Sequence, residues 1–138
     1  MFLDASVIIA ILIKEPGWEE IVKRIEDRQG AFLVSPLVRF EAVLGLARAL
    51  NRDPDRRTAA IAAATEAVDR FLADLDCREI AITPDIGTRA LGAAATYGKA
   101  VGHAADLNFG DCFSYACAKV EAVPLIYKGN DFAETDLA

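Results

Sequence analysis

Short apolar segments alternate along this chain with longer segments of helical periodicity, and this alternation limits which folds the chain can adopt. Strands are predicted at 1–3, 31–34, 79–82 and 123–127. Helices are predicted at 6–13, 18–27, 37–50, 57–75 and 83–97, and from 111 to about 122. Ser6 could cap the first helix, Ser35-Pro36 is a cap followed by a first-turn proline, and Thr83-Pro84 starts the helix that ends near residue 97. The tail from Phe132 to Ala138 is expected to be short and polar. The pattern predicts an α/β fold with a mainly parallel central sheet and helices on both faces. No repeat or linker interrupts it, so residues 1–138 are expected to form one domain.

The overall charge of the chain narrows the class of function. Charged residues make up 26% of the 138 residues and the formal net charge is −6. A DNA-binding module usually has the opposite sign or a basic face, so the charge counts against that class. It does not exclude a nuclease, because acids gathered around a metal ion lower the net charge while basic residues elsewhere hold the nucleic-acid backbone.

Cysteine usage and hydropathy indicate a cytoplasmic location. Cys77, Cys112 and Cys117 are odd in number and form no CxxC pair, which is typical of reduced thiols and argues against metal binding through sulfur. Cys112 and Cys117 are expected to be small buried apolar residues. No apolar run reaches the roughly 20 residues of a membrane span. Asp4 interrupts the first apolar stretch and no basic leader precedes it, which argues against a signal peptide.

Four carboxylates occupy positions compatible with one end of the predicted sheet. Asp4 follows the first strand, and Asp131 follows the last strand after a turn. Asp111 stands at the start of a buried helix that Asn108 can cap, with Gly110 easing the turn into it. Glu41 lies on the apolar face of the helix at 37–50. Ligands of parallel sheets bind beyond the carboxyl ends of the strands, where these acids would meet.

Each of these acids also has a simpler interpretation. Asp4 could cap a helix, Asp131 could be a turn residue, and Glu41 could pair with a base. Asp111 suits the positive end of its helix dipole. If the four acids instead share one site, their charges repel each other strongly, because two charges 4 Å apart at an effective dielectric of 20 interact by about 4 kcal/mol. A dication such as Mg²⁺ relieves that repulsion and can assist phosphodiester hydrolysis.

Four segments of the chain, in this order, resemble PIN-domain ribonucleases, and most of all the VapC toxins of bacterial toxin–antitoxin pairs. They are Met1-Phe2-Leu3-Asp4-Ala5-Ser6, Ser35-Pro36-Leu37-Val38-Arg39-Phe40-Glu41, Leu107-Asn108-Phe109-Gly110-Asp111-Cys112 and Lys128-Gly129-Asn130-Asp131-Phe132. The resemblance spans the whole chain, and the segment around Asp111 is the most specific of the four.

The resemblance implies a site, an activity and partners. Asp4, Glu41, Asp111 and Asp131 would surround Mg²⁺ or Mn²⁺, with Asp4 and Asp111 as direct ligands. Glu41 and Asp131 would act through water or position the attacking water. The implied activity is endonucleolytic cleavage of RNA. The implied partners are a second copy of the chain and a VapB-like antitoxin, which covers the site and represses its own operon, so that contact with DNA is indirect.

The roles of several other residues stay open. Arg48, Arg52, Arg56 and Arg57 could bind RNA phosphates, or could form a solvated helix junction that pairs with Asp53 and Asp55. His103 is expected to be a structural loop residue rather than a general base. Trp18 and Phe40 are expected to lie in the core, with Leu37, Phe40, Leu44 and Ala47 on one buried face.

Two further functions compete with the nuclease. One is a catalytically silent binding or scaffold module with the same fold. The other is a phosphate-accepting, receiver-like domain, in which Lys128 would be the lysine that partners the phosphoacceptor aspartate. The receiver-like interpretation is the weaker, because no apolar strand before Asp111 ends in a bare acid.

Overall fold

A computed structural model describes residues 1–28 and 30–137 of the protein. Its centre is a parallel sheet of four short strands in the order β3-β2-β1-β4. The strands are β1 (Phe2–Leu3), β2 (Leu33–Val34), β3 (Arg78–Glu79) and β4 (Leu125–Ile126). The predicted α/β class with a parallel sheet is therefore confirmed.

Six helices connect and cover the strands. They are α1 (Ala5–Leu12), α2 (Trp18–Glu26), α3 (Pro36–Leu50), α4 (Arg57–Asp74), α5 (Pro84–Tyr97) and α6 (Phe109–Val120). Single 3₁₀ turns at Pro54–Arg56 and Lys99–Val101 lie in segments predicted as loops. In the ranges 1–28 and 30–137, no helix combines the length and apolarity needed to cross a membrane.

The helix starts follow local sequence signals, with one correction. Ser35 caps α3 and Thr83 caps α5, and in both helices a proline occupies the first turn, as predicted. Helix α1 was predicted to begin at a Ser6 cap, but it begins at Ala5 and Asp4 is its cap. The reason is that the Asp4 carboxylate accepts the Ser6 N–H at 2.9 Å, which satisfies a free donor of the first turn.

The order of the strands creates a switch point between β1 and β4. The chain moves from β1 outward to β2 and β3, and then returns to the other side of β1 to form β4. Such a reversal places connecting helices on both faces of the sheet and opens a crevice at the carboxyl ends of β1 and β4. The Asp4 N–H donates to the Ile126 carbonyl at 3.0 Å, which joins those ends.

Two predictions about buried side chains were wrong. Phe40 is 61% exposed, because the buried face of α3 is made by Val38, Ala42, Val43, Leu46 and Ala47. Helix α3 contacts α1, α4 and α6, and these neighbours select a face rotated from the predicted one. Trp18 is only half-buried, with the Lys14 ammonium group 5.6 Å from its ring. Cys112 and Cys117 are buried free thiols, as predicted.

The third strand and the final segment also differ from prediction. Strand β3 lies at Arg78–Glu79 rather than 79–82, because pairing with β2 fixes its register. The tail from Phe132 was predicted to be short and polar, but the Phe132 side chain is 1% exposed. Its ring lies against Tyr127 with a centroid separation of 4.9 Å, so the segment after β4 is held on the core. Ala138, the last residue of the predicted tail, lies outside the described residues.

Candidate active site

The four carboxylates singled out in the sequence line one cleft of about 520 Å³. Asp4 comes from the end of β1, Glu41 from α3, Asp111 from the first turn of α6, and Asp131 from the segment after β4. None of the four forms an ion pair with a lysine, arginine or histidine within residues 1–28 and 30–137. The fold thus gathers four acids that no protein cation pairs with in the part of the chain that the structure describes.

Asp4 is fixed by three hydrogen bonds to its carboxylate. Its Oδ2 accepts the Ser6 N–H at 2.9 Å and the Ser6 hydroxyl at 2.6 Å. Its Oδ1 accepts the Ser114 hydroxyl of α6 at 2.7 Å. The Ser6 Oγ also accepts the Lys128 N–H at 3.0 Å, so the segment after β4 is tied to the same side chain. The side chain is only 6% exposed, and these bonds compensate for its burial.

Asp111 belongs to a reciprocal cap at the start of α6. The Asn108 Oδ1 accepts the Asp111 N–H at 3.1 Å, and the Asp111 Oδ2 accepts the Asn108 N–H at 2.8 Å. This capping box confirms the predicted role of Asn108. It occupies one oxygen of Asp111 and holds the carboxylate at the cleft.

Glu41 lies against the backbone of α6 at Gly110. A Cβ added to Gly110 would collide with both oxygens of the Glu41 carboxylate. Gly110 was predicted to ease the turn into the helix, but it lies inside α6 and its φ is not positive. The absence of a side chain there instead leaves room for the Glu41 carboxylate.

Burial and mutual repulsion raise the pKa values of two of the acids. Desolvation, with smaller effects from the Asp4 and Asp111 charges, raises the pKa of Glu41 to about 7. Desolvation also raises the pKa of Asp111 to about 6, opposed by the Asn108 N–H and reinforced by the charges of Asp4 and Asp131. Ionisation of these two acids is therefore disfavoured in the metal-free cleft.

The protein atoms alone do not form a complete metal cage. Within the described ranges, no three His, Cys, Asp or Glu side chains are grouped so that they could hold a metal ion. A cation at this cleft would therefore need oxygen ligands from water or substrate as well as from the protein, which is the usual situation for Mg²⁺.

The structure divides the predicted arginine patch. Arg48 lines the acidic cleft and also an adjoining hollow of about 640 Å³, which Arg52 and Arg57 line as well. Arg56 lies 3.9 Å from Asp53. Among the described residues, this is the one ion pair that involves Asp53 or Asp55. The four arginines therefore do not act as one surface, and Arg48 alone reaches the acids' cleft.

His103 and Lys128 both have structural roles. The His103 Nδ1 accepts the Ala105 N–H at 3.1 Å, and its ring stands edge-on to Tyr97 at 5.3 Å, in keeping with the predicted loop role. The Lys128 ammonium group pairs with Glu15 and does not line the cleft. The receiver-like interpretation required that ammonium group beside the acids, so the geometry counts against it.

Sequence reasoning missed Ser6 and Ser114 as partners of Asp4. Both have a recognisable spacing: Ser6 lies two residues after Asp4, as in other side-chain caps, and Ser114 lies one helical turn after Asp111. Neither spacing alone shows that both hydroxyls meet the same carboxylate.

A family profile for the PIN domain matches residues 1–137. The chain belongs to the PIN-domain family. A curated PIN-domain relative, a VapC ribonuclease of Rhizobium meliloti (strain 1021), is 52% identical and the match covers 99% of this chain and 98% of the relative. Ribonuclease VapC42 of Mycobacterium tuberculosis is 31% identical, with 99% and 96% covered. The receiver-like interpretation is therefore wrong.

Solved structures agree with the PIN fold. A toxin–antitoxin complex from Klebsiella pneumoniae superposes with a TM-score of 0.67 at 19% identity, covering 99% of this chain and 92% of that chain. Mycobacterium tuberculosis VapC20, described as a sarcin-ricin loop cleaving toxin, gives a TM-score of 0.69 at 17% identity, covering 96% and 92%. At these identities the likeness establishes the fold.

Replacing Gly110 by alanine should displace the Glu41 carboxylate without unfolding this PIN domain, because that carboxylate is the end of a flexible side chain. We expect the pKa of Glu41 to fall from about 7 toward its ordinary value of 4.5, as measured by NMR titration. Gly92→Ala on α5 is the matched control, since a Cβ there meets nothing within 4 Å. An unchanged Glu41 pKa in Gly110→Ala would contradict the proposed contact.

Stability of the metal-free protein should fall as pH rises. Glu41 and Asp111 have folded pKa values of about 7 and about 6, above their ordinary values of 4.5 and 3.8. Their contribution is therefore fully present below the ordinary values and is lost as pH rises through the folded ones. In a chelator, the melting temperature should drop between about pH 5 and about pH 8 by more in the parent than in Glu41→Gln/Asp111→Asn. Equal drops would show that these two groups are not the cause.

Proposed function

We propose that this protein is a Mg²⁺- or Mn²⁺-dependent endoribonuclease that acts as the toxin of a toxin–antitoxin pair. The observation that carries the proposal is the single cleft lined by Asp4, Glu41, Asp111 and Asp131, in which no protein cation pairs with the acids among the described residues. The 52% identical relative that is named a VapC ribonuclease supports it.

Asp4 and Asp111 are the direct metal ligands in this proposal. A carboxylate offers about four lone-pair positions on two oxygens. Asp4 uses two positions on Oδ2 and one on Oδ1, so Oδ1 retains one position for a cation. The Oδ2 of Asp111 accepts the Asn108 N–H, which leaves Oδ1 for the same purpose. Two such ligands, with water and a substrate phosphate, suit the coordination that Mg²⁺ prefers.

In this proposal, Glu41 and Asp131 act on the water molecule that attacks the phosphodiester. A bound divalent cation supplies positive charge that makes water more acidic and stabilises the charge on a phosphoryl group. The Glu41 carboxylate lies against α6 at Gly110 in the same cleft, where it can accept a proton from that water. Asp131 lies on an exposed segment at the rim of the cleft, where it can orient that water by hydrogen bonding.

The proposed partners follow from the same site. An antitoxin that covers the cleft would block access of RNA, and DNA would be reached only through that antitoxin. One toxin–antitoxin complex of similar fold shows that such assemblies exist for this architecture. We place the protein in the cytoplasm, where its three free thiols remain reduced.

Asp4→Asn and Asp111→Asn should each lower RNA cleavage on the order of a hundredfold or more, since loss of even outer-shell partners costs 10–100-fold. The fold should survive, because asparagine keeps an oxygen for the helix caps. Cleavage of total cellular RNA with added Mg²⁺ is the measurement, with circular dichroism to check folding. Asp85→Asn is the matched control: Asp85 also lies in the first turn of a helix, but it pairs with Arg89 outside the cleft. Full activity in both cleft variants would refute the assignment.

Thermal melting during a metal titration distinguishes the nuclease hypothesis from the silent-scaffold hypothesis. Binding of Mg²⁺ or Mn²⁺ to the folded cleft should raise the melting temperature of the parent, and less so in Asp4→Asn. No rise at millimolar metal, together with no RNA cleavage, would favour the scaffold.

We also propose that the protein is a homodimer joined through the hollow between α5 and α6. That hollow, of about 860 Å³, is lined mainly by apolar residues, among them Leu91, which is 74% exposed. An exposed apolar surface of this kind is a typical protein interface. Leu91→Arg should convert the dimer to monomer in light scattering, whereas Ile61→Arg on α4, where Ile61 is 39% exposed, should not. A dimer that persists in Leu91→Arg would place the interface elsewhere.

A further inference from the structure

The face of α3 that lines the acidic cleft carries an exposed aromatic ring at one end and an arginine at the other. Phe40, Glu41, Leu44, Gly45 and Arg48 all line the cleft, and their spacings of one, three and four residues place them along one side of the helix. Glu41 lies between Phe40 and Arg48, which are about 12 Å apart along the axis at 1.5 Å per residue.

The exposure of Phe40 has no explanation in the packing of the fold. Its side chain is 61% exposed, whereas Val38 and Leu46 of the same helix are each 1% exposed. Leu50, in the last turn of α3, is also exposed but lies outside the cleft. Phe109, next to the other wall of the cleft at the start of α6, is 67% exposed. Its ring rests on Phe113 with a centroid separation of 5.0 Å, whereas no aromatic contact involves Phe40 among the described residues.

Arg48 supplies a positive charge beside the acids without neutralising them. Its Nε donates to the Leu44 carbonyl of the same helix at 3.3 Å, which orients the guanidinium group. Within residues 1–28 and 30–137, no carboxylate lies within ion-pair distance of it. Its terminal nitrogens are therefore able to bind a phosphate of a strand that enters the cleft.

We infer that this face of α3 binds a single-stranded segment of RNA beside the carboxylates. The Phe40 ring stacks on a base, and the Arg48 guanidinium binds a backbone phosphate. The inference rests on the proposed ribonuclease function and adds to it how the substrate is held. Stacking on an aromatic ring requires an unpaired base, so Phe40 contributes to binding only where the strand in the cleft is single.

Two features favour RNA over a protein segment as the occupant. Phe40 and Arg48 flank the carboxylates within one cleft, so a strand that contacts both side chains also passes the carboxylates. A cleft rich in carboxylates repels a polyanion except where a cation intervenes, and Arg48 together with a bound dication provides positive charge at two points along the strand.

The test measures binding of two short fluorescent probes, oligouridylate and an abasic ribose-phosphate chain of equal length, by anisotropy with Ca²⁺ in place of Mg²⁺, and gel electrophoresis checks that both probes stay intact. The parent should bind oligouridylate more tightly than the abasic chain. In Phe40→Ala that advantage should shrink roughly tenfold, the size expected for one stacked base. Phe40→Trp should retain the advantage and Phe40→Leu should lose it, since leucine keeps the apolar character but not the ring.

Arg48→Gln should weaken both probes alike and lower the slope of log affinity against log salt by about 0.7, as for the loss of one phosphate contact on a single strand. Arg48→Lys should restore most of the affinity. The matched controls are Leu50→Ala, on the same helix and 63% exposed but outside the cleft, and Arg56→Gln, since Arg56 lies beside Asp53 outside the cleft. Both controls should bind as the parent does.

The outcomes separate this inference from the proposed function. If the parent cleaves RNA with Mg²⁺ and the difference between the two probes is unchanged in Phe40→Ala, the inference is wrong and the ribonuclease assignment stands. If Phe40→Ala leaves RNA binding intact but disrupts the oligomeric state, the face belongs to a protein contact and the inference is again wrong. A parent that neither binds nor cleaves RNA would overturn the proposed function itself.

Discussion

The hydrogen bonds to the Asp4 carboxylate hold together the part of the molecule on which the rest depends. One side chain caps α1, accepts the Ser114 hydroxyl from α6 and, through Ser6, fixes the backbone at Lys128 after β4. These bonds join the ends of β1 and β4 to two helices at the switch point of the sheet. Because the same carboxylate lines the acidic cleft, the residue that organises the architecture also belongs to its candidate chemistry.

Several acids outside the cleft pair with a lysine or arginine, whereas the four cleft acids form no ion pair within residues 1–28 and 30–137. Arg39 forms a bidentate pair with Asp69 at 2.7 and 2.8 Å, and Lys119 binds Asp136 at 2.7 Å. These exposed pairs lower the pKa values of their carboxylates, whereas desolvation and like charges raise those of Glu41 and Asp111. The contrast indicates that the unfavourable electrostatic environment of these carboxylates is specific to the cleft. Because a bound dication would relieve it, a metal-binding site has a reason to retain such carboxylates.

Positions that depend on local signals could be predicted from the sequence, and positions that depend on tertiary packing could not. The placement of Asp4 after a strand and the Asn108 cap beside Asp111 are local properties, and both were predicted. Phe40 was assigned to the core because α3 is apolar on more than one side, so periodicity alone could not show which side its neighbours would cover. The role of Gly110 was missed because the carboxylate that fills its empty space comes from another helix.

The parallel pairing of β1 with β4 has a consequence for the newly made chain. Strand β1 is translated well before its partner β4 and the Asp131 segment, which lie more than a hundred residues further along the chain. Contacts so distant in sequence form late, since the intervening loop must close first. A nascent polypeptide therefore lacks the complete set of cleft carboxylates until the Asp131 segment has been translated, so the acidic cleft cannot form while most of the domain is being made.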